Sequence, residues 1–140
     1  IVLGPFARAM KFSDSASRVN LTHTSVSIGS SSTIEAWIRI DGPVSGANGV
    51  IYEHQNANYY PRLYVTPALV IAGIFSNGAC ATITTVTGST LTAGVNYHVA
   101  LTVSGATGYL FVNGVQVGTN SGSLMTCAAT STVIGNDNTG

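Results

Sequence analysis

Apolar and polar residues alternate with a period of two through much of the chain. Tyr97, Val99, Leu101 and Val103 fall on one side of an extended segment; His98, Ala100 and Thr102 fall on the other. That spacing predicts a strand with one buried face. Turn residues fill Ser104 to Gly108, after which Tyr109–Val112 and Val115–Gly118 flank Asn113-Gly114. Asn-Gly suits a type I′ turn, which needs φ > 0 at both central residues, so these segments predict a hairpin. A two-residue loop places Val112 opposite Val115 and Leu110 opposite Val117, four aliphatics on one core-facing side. Tyr109, Phe111 and Gln116 take the other side.

The same alternation marks the remaining elements. Ala9 to Leu21 reads as a strand with Met10 and Phe12 on one face, a Ser-rich turn from Asp14, and a second short strand. In Thr33–Ile40, Ile34, Ala36, Ile38 and Ile40 form the core face, and Thr33, Glu35, Trp37 and Arg39 the outer one. Asp41-Gly42-Pro43 ends it. Further strands are predicted at Gly49–Glu53, Pro61–Val65, Leu69–Phe75, Ala79–Thr87 and Thr132–Ile134, with a second Asn-Gly turn at Asn77-Gly78. Many short strands broken by turn signals predict one all-β domain spanning 1–140: an antiparallel two-sheet β-sandwich, or jelly roll.

Composition narrows the partners. Five basic and five acidic residues give zero net charge. There is no basic face for nucleic acid and no polybasic cluster for a membrane surface. No apolar run approaches the roughly 20 residues of a membrane-spanning helix, so membrane insertion is not expected. The absent initiator Met suggests an excerpt or a processed product. A surface of hydroxyls and amides fits an extracellular, cell-surface or virus-particle protein. Cys80 and Cys127 allow one pairing. In an extracellular chain a disulfide is expected, the alternative being two buried thiols. Asn20-Leu21-Thr22 has the glycosylation spacing but reads as an ordinary surface Asn.

TIEAWIRI, LTAGVNYHVALTVSGATGYLFVNGVQVG and STVIGNDNTG, in that order after AMKFSDSASRVNL, resemble the laminin-G-like jelly rolls of the concanavalin A-like lectin and glucanase superfamily. The resemblance implies two packed antiparallel sheets. It implies binding of a sugar, protein or surface more often than catalysis; Trp37 could serve as a sugar platform, but a Trp at that family position is usually packed. It also implies a possible calcium site at one rim, for which Asp14, Asn136, Asp137 and Asn138 are the oxygen-rich candidates, since Ca²⁺ takes 6–8 oxygen ligands. No other cofactor is expected. The family's pattern continues to a last strand beside the first, and this sequence stops short of it at Gly140. The resemblance therefore predicts an open edge near Met10–Phe12, filled by further chain, a neighbouring subunit, or Ile1–Pro5 folding back.

The chemistry points the same way. A glycosidase needs two carboxylates facing each other across the scissile bond. Asp14, Glu35, Asp41, Glu53 and Asp137 show no such pattern, and the superfamily's E-x-D-x-x-E strand is absent, so no enzyme activity is expected. Glu35 reads as a strand residue paired to Arg or Thr, and His98 as a structural histidine. The polar, aromatic stretch from His54 to Tyr64 is the best ligand-binding candidate. Its named residues are His54, Asn58, Tyr59, Tyr60, Arg62 and Tyr64; aromatic rings stack on sugars while amides and guanidinium groups bind hydroxyls. Tyr59, Tyr60 and Arg62 are expected at an accessible surface. Two roles remain open: a lectin-like or adhesion module for a glycan or protein surface, or a structural subunit of a capsid, fibre or filament that assembles with neighbouring subunits or further domains.

Overall fold

The computed structural model describes residues 9–13, 17–27, 29–42, 44, 48–55, 61–76, 83–122 and 128–135. They form ten strands: β1 (Arg18–Ser27), β2 (Ser31–Arg39), β3 (Gly49–Gln55), β4 (Arg62–Val65), β5 (Val70–Ser76), β6 (Ile83–Thr90), β7 (Asn96–Ser104), β8 (Thr107–Val112), β9 (Val115–Ser121) and β10 (Ala128–Gly135). One antiparallel sheet has the order β1-β10-β3-β4-β5-β6, the other β2-β7-β8-β9. The result is the expected concanavalin A-like sandwich, with no helix among the described residues.

The core lies where period-two faces meet. Leu63, Val65, Ile71, Phe75 and Val86 come from the larger sheet; Val99, Leu101, Val103, Leu110 and Val112 come from the smaller one. Fully burying each such side chain stabilises by roughly 1.5–3 kcal/mol. Two sites lack a side chain so that a neighbour can fill the space. Leu101 of β7 rests on Gly73 of β5, and Phe75 of β5 rests on Gly108 of β8. These contacts fix which strands oppose each other: β7 and β8 cover β5, and β9 lies close to β6, with Gly118 against the Thr87 carbonyl. No described strand of the smaller sheet lies beyond β2, where β10 and β1 extend the larger sheet.

The central hairpin forms with its predicted turn. Asn113 and Gly114 have φ of 50° and 79°. Asn113 N–H donates to the His98 carbonyl at 2.8 Å, and the His98 N–H donates to Asn113 Oδ1 at 2.9 Å. The turn is thereby pinned to the neighbouring strand. Val112 pairs with Val115 as expected, but Leu110 pairs with Gly118, not Val117. Val117 is the extra residue of a β-bulge, an irregularity that a glycine in a strand often marks. It still packs against the core. Val115, expected to face the core, is 66% exposed at the hairpin tip.

The first strand also differs from expectation. Residues 9–13 form no strand, and Met10 is 66% exposed. Alternation at Met10 and Phe12 has no backbone partner to act on; Phe12 instead lies against Gly135. The first strand is β1, paired with β10. The edge strands among the described residues are β1 and β6 of one sheet and β2 and β9 of the other, each with one partner strand; β6 and β9 lie against each other, which leaves β1 and β2 as the open edges.

Candidate functional site

The stretch from His54 to Tyr64 does not form the open loop that its composition suggests. Asn58, Tyr59 and Tyr60 lie outside the described residues. The other three are buried and divided between the two faces of one sheet. Register makes the division: Tyr52 pairs with core-facing Leu63, and Glu53 with Arg62. Glu53, Arg62 and Tyr64 therefore share the outer face, while His54 turns inward. Arg62, expected to be accessible, is 7% exposed, and Glu53 is 0% exposed. Arg62 Nε stands 3.0 Å from Glu53 Oε2. Its N–H is not aimed along that contact, so the attraction is charge to charge rather than a directed hydrogen bond. The guanidinium also covers the Tyr64 ring, at 5.3 Å from its centroid, an attraction that strengthens when desolvated.

Inward-facing His54 joins a second cluster that sequence spacing does not reveal. Its Nδ1 lies 3.3 Å from Thr132 Oγ1 on β10, and His23 Nε2 of β1 reaches the same hydroxyl at 3.2 Å. The two imidazoles stack over that strand, with centroids 5.6 Å apart. Three residues from three adjacent strands form one polar strip, legible only once strand order is known.

The accessible cluster lies on the outer face of the smaller sheet. Exposure alternates along all of β2, leaving Thr33, Glu35, Trp37 and Arg39 outward. Trp37, expected to be packed, is 54% exposed, unusual for the most apolar large side chain of a strand. Strand pairing sets His98 beside Trp37 and Ala100 beside Glu35 on β7, then Phe111 beside Ala100 on β8 and Gln116 beside Phe111 on β9. A parallel row runs Thr33, Thr102, Tyr109, Thr119. The Trp37 and His98 rings meet at 5.4 Å and 53°. His98 Nε2 lies 3.5 Å from Glu35 Oε2, so Glu35 has a histidine partner rather than the expected Arg or Thr. At the strand end Arg39 Nε holds Asp41 at 2.9 Å and Lys11 approaches the same carboxylate at 3.5 Å. The face thus carries the Trp37, His98, Phe111 and Tyr109 rings together with hydroxyl, amide and carboxylate groups. Aromatic rings accept the C–H face of a sugar, and the polar groups accept and donate to hydroxyls.

Hydrolytic geometry is absent among the described residues. Glu35 and Glu53 project from opposite outer faces of the sandwich, and Asp41 is engaged by Arg39 and Lys11. No two of these carboxylates face each other across a cleft. No group of three metal-ligating side chains occurs among the described residues. The calcium candidates Asp14, Asn136, Asp137 and Asn138 lie outside them, as do Cys80 and Cys127. No described helix is long and apolar enough to cross a membrane.

The fold and its sequence pattern define a class. The chain belongs to the concanavalin A-like lectin/glucanases superfamily, the family Laminin_G_3 matching residues 13–140. Among solved structures it is similar to domains LG4-5 of the mouse laminin alpha1 chain. That likeness has 15% identity and a TM-score of 0.70, and covers 92% of this chain and 36% of that one. It is similar to the CBM40 of the Ruminococcus gnavus IT-sialidase, solved with α2,3-sialyllactose, at 13% identity and a TM-score of 0.62. There the coverage is 86% and 80%. It is also similar to the heptameric SAP-like pentraxin of Limulus polyphemus, at 16% identity and a TM-score of 0.56, covering 84% and 56%. A search of curated proteins found no match. The chain thus spans about a third of the LG4-5 structure it resembles, and likenesses at this identity bear on the fold alone.

Proposed function

We propose that residues 1–140 form one non-catalytic glycan-binding module, working outside the cell or on a cell or particle surface. The observation that carries this reading is Trp37: a large aromatic more than half exposed on an ordered strand, ringed by His98, Glu35 and, across the sheet, Phe111 and Tyr109. A rigid sheet holds these groups in place before any ligand arrives, which lowers the ordering cost of binding. The family assignment and the sialyllactose-bound CBM40 among its structural neighbours support the same class. A glycan array with the wild-type chain and Trp37→Ala tests it. Wild type should bind a defined glycan set; Trp37→Ala should lose it while its melting temperature is retained. Equal binding by both would refute the assignment to this face.

A second reading, a structural subunit, is favoured by the open edges of β1 and β2 and by exposed Leu21 and Ile134 nearby. Open edges pair readily with other strands. Sedimentation over a concentration series distinguishes the two: a monomer supports the module, ordered self-association the subunit.

A further inference from the structure

We infer that the Trp37 face selects neutral oligosaccharides, laid across the strands from β2 to β8, and disfavours sialylated ones. This rests on the glycan reading above and adds the ligand's charge and length.

The charge inventory carries the first half. The described cations are Lys11, Arg18, Arg39 and Arg62. Arg62 is on the other sheet and holds Glu53. Arg18 begins β1, also on the other sheet. Arg39 and Lys11 both engage Asp41. The face itself carries a carboxylate, Glu35, whose side chain is 65% exposed. It sits two residues from Trp37 on the same side of β2, about 7 Å along the strand. A sugar stacked on Trp37 therefore meets the exposed Glu35 carboxylate on one flank, while Arg39 on the other flank is already held by Asp41 at 2.9 Å. The same carboxylate accepts hydrogen bonds from hydroxyls, which every neutral sugar supplies.

Layout carries the second half. Phe111 is two strands from Trp37 and one pleat further along, with Glu35, Ala100 and Phe111 in one row. Two strand spacings are about 10 Å, more than one sugar ring. Ala100, whose side chain is a single methyl and is buried, stands between the charged and aromatic ends of the row. A chain of several rings can rest on Trp37, cross Ala100 and reach Phe111. Gln116 of β9 lies beyond, beside Phe111.

Matched glycan pairs test this, each neutral oligosaccharide printed with and without terminal sialic acid, followed by calorimetric titration of lactose, a neutral tetrasaccharide extended from it, and α2,3-sialyllactose. The neutral member should bind roughly tenfold tighter than its sialylated partner, the scale of one like-charge contact near a surface. The tetrasaccharide should bind tighter than lactose. Glu35→Gln should narrow the neutral-to-sialylated ratio toward one, and Phe111→Ala should weaken the tetrasaccharide more than lactose. Equal or tighter binding of sialylated members through Trp37 overturns this inference and leaves the glycan reading standing. Silence across the array overturns both.

Discussion

Replacing Arg62 separates a structural residue from a binding one. The Glu53 carboxylate is 0% exposed, and the guanidinium 3.0 Å away offsets its lost hydration. Arg62→Met keeps the aliphatic stem and removes the charge, leaving Glu53 buried beside Val133, its register partner on β10. Breaking one partner of a buried pair costs about 3–5 kcal/mol. For a domain of this size that lowers the melting temperature by about 10–20 °C. Removing both charges should be far milder, because buried pairs replaced by apolar residues of similar volume are often neutral or stabilising by about 1–4 kcal/mol. Glu53→Leu with Arg62→Met should therefore recover most of the loss. Urea unfolding of wild type, both single variants and the double variant closes the cycle, with glycan affinity measured on each folded sample. The expected result is a large coupling energy and unchanged affinity. An Arg62→Met chain that is fully stable yet no longer binds glycan would refute the reasoning and return Arg62 to the ligand site.

The other predictions follow from packing and from the turn. Leu110→Ala, at a fully buried site, should cost about 2–5 kcal/mol by urea unfolding, whereas Val115→Ser at the exposed hairpin tip should stay within about 0.5 kcal/mol. Gly118→Val would drive a side chain into the Thr87 carbonyl of β6 and should destabilise by about 1–3 kcal/mol through overpacking. Asn113→Ala removes both the residue suited to φ of 50° and the bond from the His98 N–H. It should cost about 1–3 kcal/mol, with Asn113→Gly recovering part of it. Calcium removal by EDTA should leave glycan affinity unchanged, since no group of three metal-ligating side chains occurs among the described residues of the Trp37 face; an affinity that falls on chelation would point to Asp14 or Asn136 to Asn138.

Legibility in the sequence followed locality. Val99, Leu101 and Val103 could be read as a core face because alternation is a property of one strand. Asn113-Gly114 could be read as a turn because its φ requirement is equally local. Val115 broke the pattern at the hairpin tip, where alternation alone does not decide burial, and Leu110 slipped to Gly118 through a bulge. Gly118 itself was the available signal, a glycine inside a strand. Met10 and Phe12 alternated without forming a strand, since alternation supplies a face but no hydrogen-bonding partner.

The binding site turned on which face a residue occupies, and composition does not report that. His54, Arg62 and Tyr64 looked like a ligand set because they are polar and aromatic and close in sequence. Pairing of Glu53 with Arg62 between β3 and β4 uses the charges to hold that face of the larger sheet together. Once those groups are buried and paired, the accessible aromatic surface of the described chain is on the smaller sheet. There the sequence had already set Glu35, Trp37 and Arg39 on one side by simple alternation. A tryptophan between two charged residues on the same strand face points outward, since burying it would drag both charges into the core. The family expectation of a packed tryptophan outweighed that local argument, and on this chain the local argument was the better guide.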